Sequence, residues 1–123
     1  MNKLIAMAFL LPLSQAAHCG DPADAAVPSR PLTGDYMLYS GTLDEISPPT
    51  ATDRKIAIEL RGRAAKDVFD SIAPDAKATC SREKGERLRK RGQLWCMYSP
   101  ADGYTCFIGV DLRTGQSIAG GIC

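Results

Sequence analysis

The stretch QLWCMYSPADGYTCFIGVDL, Gln93 to Leu112, decides how this chain folds. Two apolar, aromatic runs, QLWCMY and YTCFIGVDL, flank SPADG, whose Ser, Pro, Asp and Gly favour turns, so the stretch reads as an antiparallel hairpin. If the turn Ser99 to Gly103 closes symmetrically, Tyr98 faces Tyr104, Cys96 faces Cys106 and Leu94 faces Ile108 on one side of the sheet. The other side then carries Trp95 opposite Phe107 and Met97 opposite Thr105. Both faces are apolar, whereas an antiparallel sheet in a small domain normally keeps one face wet. The second face therefore needs cover from a helix, from the segment before the domain, or from a partner.

Working outward, RTG (Arg113 to Gly115) is a second turn and QSIAGGIC (Gln116 to Cys123) a third strand, which completes a meander. Upstream, RKIAIELRG places Ile56, Ile58 and Leu60 on one face and Lys55, Ala57, Glu59 and Arg61 on the other, the alternation of a half-buried strand. From Arg63 to Ile72 the period changes, and Ala64, Ala65, Val68, Phe69 and Ile72 form a helical stripe that Pro74 ends. DYMLYSGTL, from Asp35, is a further strand, and EISPPTATD after it is a loop, because Pro48 and Pro49 oppose regular pairing. The expected fold class is α+β: a small antiparallel sheet of about five strands in the order β-β-α-β-β-β, with one packed helix and disulfide support.

The N-terminus has a different character. Met1 to Lys3 is a short positive start, Leu4 to Leu13 an apolar run, and Ser14 to Ala17 a small-residue exit, the pattern of a secretory signal peptide over residues 1–17. Residues 18–34 are rich in Pro, Ala, Asp and Gly without periodicity and read as a disordered linker or tether, leaving residues 35–123 as a single α+β domain. No second long apolar run follows, so the expected location is exported, periplasmic or envelope-associated, with any membrane contact made through a lipid and not a spanning helix.

The chain has five cysteines, a usage that suits an oxidising compartment. Cys80, Cys96, Cys106 and Cys123 lie in the C-terminal half and are expected to form two disulfides. Directly opposed cysteines on paired strands join with unfavourable geometry. The expected pairing is therefore Cys80 with Cys96 and Cys106 with Cys123, with Cys80 to Cys106 and Cys96 to Cys123 as the rival. Cys19 stands apart, just past the apolar run and before GDPADAAVPSRPLTGD. In this segment alone the chain resembles a bacterial lipoprotein, in which the acylated cysteine follows the signal and a flexible tether follows the cysteine. Ala16, Ala17 and His18 precede Cys19, and His18 stands where that pattern has Gly or Ala. The resemblance implies Cys19 as a lipidation position, with plain cleavage near Ala16 or Ala17 as the other outcome.

Charge is unevenly distributed although the net formal charge is only +1. Between Cys80 and Cys96, six basic residues face Glu83 and Glu86, while Asp21 to Asp53 holds six acids against Arg30. The spacing of Glu83 with Arg87 and of Glu86 with Lys90 suits a short solvated helix. A solvated face is the ordinary meaning of such a run. The functional reading is a surface for an acidic partner or anion, formed by Arg87, Arg89, Lys90 and Arg91 beside Trp95, Met97 and Phe107, since arginine and aromatic residues anchor interfaces.

The residues argue against an enzyme. The sole histidine, His18, lies at the signal boundary, so the folded part has no imidazole base or metal ligand. Cysteines paired as disulfides are neither nucleophiles nor ligands, no glycine-rich phosphate loop is present, and no cofactor or metal is expected. The carboxylate pairs Asp67 with Asp70 and Glu83 with Glu86 have spacings common on any charged surface. Nucleic acid is disfavoured because the exported part has no net positive excess and carries no nucleic-acid motif. The sequence thus points to a small exported binding module of an unknown protein or anionic ligand, an inhibitor or neutraliser of a secreted or invading protein. The alternative is a structural or accessory lipoprotein tethered through Cys19.

Overall fold

The computed structural model describes residues 27–123, and the readings of the signal segment and of Cys19 lie outside them. The described chain is α+β, with strands β1 (Thr33–Gly41), β2 (Ile46–Ser47) and β3 (Lys55–Arg61), helix α1 (Gly62–Ser71), then β4 (Arg87–Arg91), β5 (Leu94–Ser99), β6 (Gly103–Asp111) and β7 (Ser117–Ile118). All pairings are antiparallel and form one sheet in the order β2-β1-β3-β6-β5-β4, with β7 paired to the far end of β6.

The hairpin closes symmetrically, as its turn residues require. Ser99 pairs with Gly103, Tyr98 with Tyr104, Cys96 with Cys106 and Trp95 with Phe107. The Ser99 hydroxyl accepts from the backbone N–H groups of Ala101 and Asp102 at 3.1 and 3.3 Å, which fixes the turn. Because side chains alternate along each strand, this register sets both faces of the sheet. Leu60, Cys96 and Cys106 point to one face and pack with Ala65, Phe69 and Ile72 of the helical segment, while Ile58, Leu94, Tyr98, Tyr104 and Ile108 surround them. Phe69 is completely buried there, with its ring edge-on to Tyr104 at 5.2 Å. Burying a side chain of that kind contributes roughly 1.5 to 3 kcal/mol.

The sheet has seven strands where about five were expected. One addition, β2, is two residues long. The other, β4, replaces the expected solvated helix. Arg87, Arg89 and Arg91 alternate with Leu88 and Lys90, which is a strand period, and the ladder to β5 pairs Arg89 with Cys96 and Lys90 with Trp95. Gly92-Gln93, between the paired Arg91 and Leu94, is the two-residue hairpin loop that makes this possible. Gly92 has φ +59° at the first central position, the requirement of a type II′ turn. Helical charge spacing contributes only a few tenths of a kcal/mol per pair, less than a five-residue ladder on an existing sheet.

The expected last strand is shorter than its sequence. Pairing ends at Ile118, and residues 119–123 cross the sheet as an irregular strap.

The disulfides join Cys80 to Cys123 and Cys96 to Cys106, which corrects both expected pairings. Cys96 and Cys106 are directly opposed on β5 and β6 with Cα atoms 4.0 Å apart. That spacing belongs to the close, non-hydrogen-bonded type of cross-strand pair, in which side chains approach most nearly. With those two joined, the strap carries Cys123 across to Cys80, Cα to Cα 4.9 Å.

Candidate functional site

Register divides the seven residues expected at a docking surface between the two faces. Arg87, Arg89 and Arg91 lie on the helix face of β4, and Lys90, Trp95, Met97 and Phe107 lie on the opposite face.

The three arginines hold the end of α1 and the turn after it. Arg87 and Arg89 both donate to the Asp75 carboxylate, their Nε atoms at 2.7 and 2.6 Å from its two oxygens. Arg89 also donates to the Phe69 carbonyl at 2.9 Å, and its guanidinium lies 4.3 Å from the centroid of the Phe69 ring. Arg91 donates to the Ala73 carbonyl at 2.7 Å. Carbonyls at a helix C-terminus lack intrahelical partners and carry partial negative charge, so cations there satisfy a need of the fold. The two guanidiniums hold the Asp75 carboxyl down at about 2, well below its ordinary value.

The carboxylate pairs serve local structure in the same way. Asp67 pairs with Arg63 and Arg30, and Asp70 with Lys66. Glu86, nearly buried, accepts from the Ser81 hydroxyl and from the backbone N–H groups of Cys80 and Ser81, which lowers its pKa, and Glu83 accepts from the Ser99 hydroxyl. Glu86 thereby closes the loop that presents Cys80.

Among the described residues no helix lies over the opposite face. Trp95 is buried and stacks on Phe107 at 4.2 Å, while Met97 and Phe107 are half-buried and Lys90 is exposed. The strap is its cover. Gly121 lies so close to the Phe107 ring that a Cβ there would sit 2.5 Å from a ring carbon, so only glycine allows the strap to pass. On one side of the strap a groove of about 320 Å³ is floored by Met37, Ala57 and Phe107, and on the other a hollow of about 220 Å³ lies over Trp95 and beside Leu88 and Lys90. A further depression of about 380 Å³ runs past Met97 and Thr105 to Glu59 and Arg61. This surface is apolar at its centre and charged at its margin.

Sequence reasoning missed the strap, because GGIC reads equally as the end of a strand. The signal available was the pair Gly120 and Gly121 just before Cys123.

Among the described residues no helix is long and apolar enough to cross a membrane. Two disulfides are compatible with an oxidising compartment. Comparison with protein-family models, with curated proteins and with solved structures returns no match to this chain.

Proposed function

We propose that this chain is a small exported binding module of a bacterial cell envelope that captures a protein partner, as an inhibitor or neutraliser of a secreted or invading protein. The observation that carries the reading is the sheet face opposite α1. Met97 and Phe107 are half-buried there, Trp95 stacks on Phe107, Lys90 is exposed beside Trp95, and among the described residues the strap crosses this face at Phe107. A rigid aromatic centre with a charged rim is what interface anchors require. Arg87, Arg89 and Arg91 support this surface from behind by fixing β4 to the helix, and Lys90 is the cation of the group that faces outward with the aromatics. The chemistry of the partner is then an apolar protuberance beside an acidic group.

The test is quantitative affinity capture from envelope and secreted extracts, with the wild-type exported protein against Lys90→Glu/Met97→Glu and a control, Lys77→Glu, in an exposed loop. A protein retained by wild type and control and lost by the double variant supports the reading. Equal retention by all three, or by none, sinks it.

The lipoprotein reading keeps one supporting observation. The two disulfides use all four cysteines of the folded part, so none is left to pair with Cys19 within the chain. A diacylglycerol mass on the mature N-terminus, with partition into the membrane fraction, is the expected result if Cys19 is the anchor.

A further inference from the structure

The edge of the sheet formed by β1 is unlike the edge formed by β4. On its inner side β1 pairs with β3 from Thr33 to Tyr39. On its outer side β2 pairs only with Ser40 and Gly41, so among the described residues the outer edge from Thr33 to Tyr39 has no strand against it. Natural edges are usually blunted by lysine, proline or a bulge. This one holds Thr-Gly-Asp-Tyr-Met-Leu-Tyr with none of these, and Tyr36 and Leu38 are 71 % and 47 % exposed on it.

The surroundings give the edge a chemical preference. The groove floored by Met37, Ala57 and Phe107 opens beside it on one face, and a hollow of about 260 Å³ bounded by Leu38, Ile46 and Pro48 lies at its C-terminal end. Backbone groups along an edge with apolar recesses next to it make the arrangement by which a sheet accepts an extended peptide. On balance the charge is acidic: Asp35, exposed on the edge itself, shares Arg61 with Glu59, and Asp44 and Glu45 are exposed in the turn to β2 with no ion-pair partner among the described residues. Two copies of β1 pairing with each other would bring these like charges together, which is unfavourable across strands.

We infer that the outer edge of β1 is a strand-addition site for an extended segment of another protein, apolar at alternate positions and cationic between them. This surface lies across the sheet from β4 and goes beyond the docking face proposed above.

The probe is a peptide of about ten residues alternating valine and lysine, long enough to span the edge. Three comparisons go with it: the same peptide with alternate backbone amides N-methylated, a valine and glutamate version, and the variant Asp35→Asn/Asp44→Asn/Glu45→Gln. Titration is followed by amide exchange on the exported protein. Support is binding that protects amides within Thr33–Tyr39, is lost on N-methylation, and weakens roughly tenfold or more for the glutamate peptide and for the neutralised variant. No binding, protection centred on Trp95 and Met97, or equal binding of the N-methylated peptide would overturn it. So would a dimer in sedimentation with the β1 amides already protected before peptide is added.

Discussion

Asp75 sits between the guanidiniums of Arg87 and Arg89, and these contacts tie the turn after the helix to the edge strand β4. Its carboxyl is held at about 2 against an ordinary 3.8, so the folded state favours the ionised form more than the unfolded chain does. A depressed carboxyl contributes stability that is fully present above about pH 4 and disappears as pH falls through about 2. Asp75→Asn is therefore expected to be less stable than wild type at neutral pH, with the gap closing between about pH 4 and pH 2. Urea midpoints measured across that range check it, and a gap that is constant with pH would contradict it. None of this was legible in the sequence. The run Arg87 to Arg91 shows charge, but Asp75 lies twelve residues before Arg87 and only the packing of α1 against the sheet brings them together.

At the scale of elements, the hairpin of β5 and β6 was legible because its turn residues and its two apolar runs agree on one register. The strap was not. Its position depends on Gly121 clearing Phe107 and on a bond between cysteines 43 residues apart. In the chain-entropy treatment a loop of that length corresponds to about 4 kcal/mol, against about 3 kcal/mol for the ten-residue separation of Cys96 and Cys106. Cys80→Ser/Cys123→Ser should lower stability by about that larger amount, while amide exchange accelerates first in residues 119–123 and in the loop around Cys80. Trp95 is the only tryptophan, and the strap bounds the hollow over it, so its emission should shift to longer wavelength in this variant under native conditions. Unchanged emission would show that the strap stays in place without its disulfide.

For the whole molecule, the two faces of the sheet divide the work. The helix face holds the core, so Leu60→Ala should cost about 2 to 5 kcal/mol through the cavity it leaves. On the other face Met97→Ala should cost under about 1 kcal/mol, because Met97 is only half-buried and the stacked Trp95 and Phe107 remain. Partner capture should follow the opposite order, lost with Met97→Ala and retained by folded Leu60→Ala protein, which thermal melts and capture on the same samples would decide. By itself the sequence determined the α+β class, the helix, the hairpin register and the fact that both faces of the hairpin are apolar, because these follow from local turn chemistry and from side-chain periods of 2 and 3.6. Only the tertiary structure decided which cysteines join, that the basic run is an edge strand with its arginines turned onto the helix end, and that residues 119–123 cross the second face. Those features depend on residues far apart in the chain, whose meeting is set by how the helix and the sheet pack and not by any local preference.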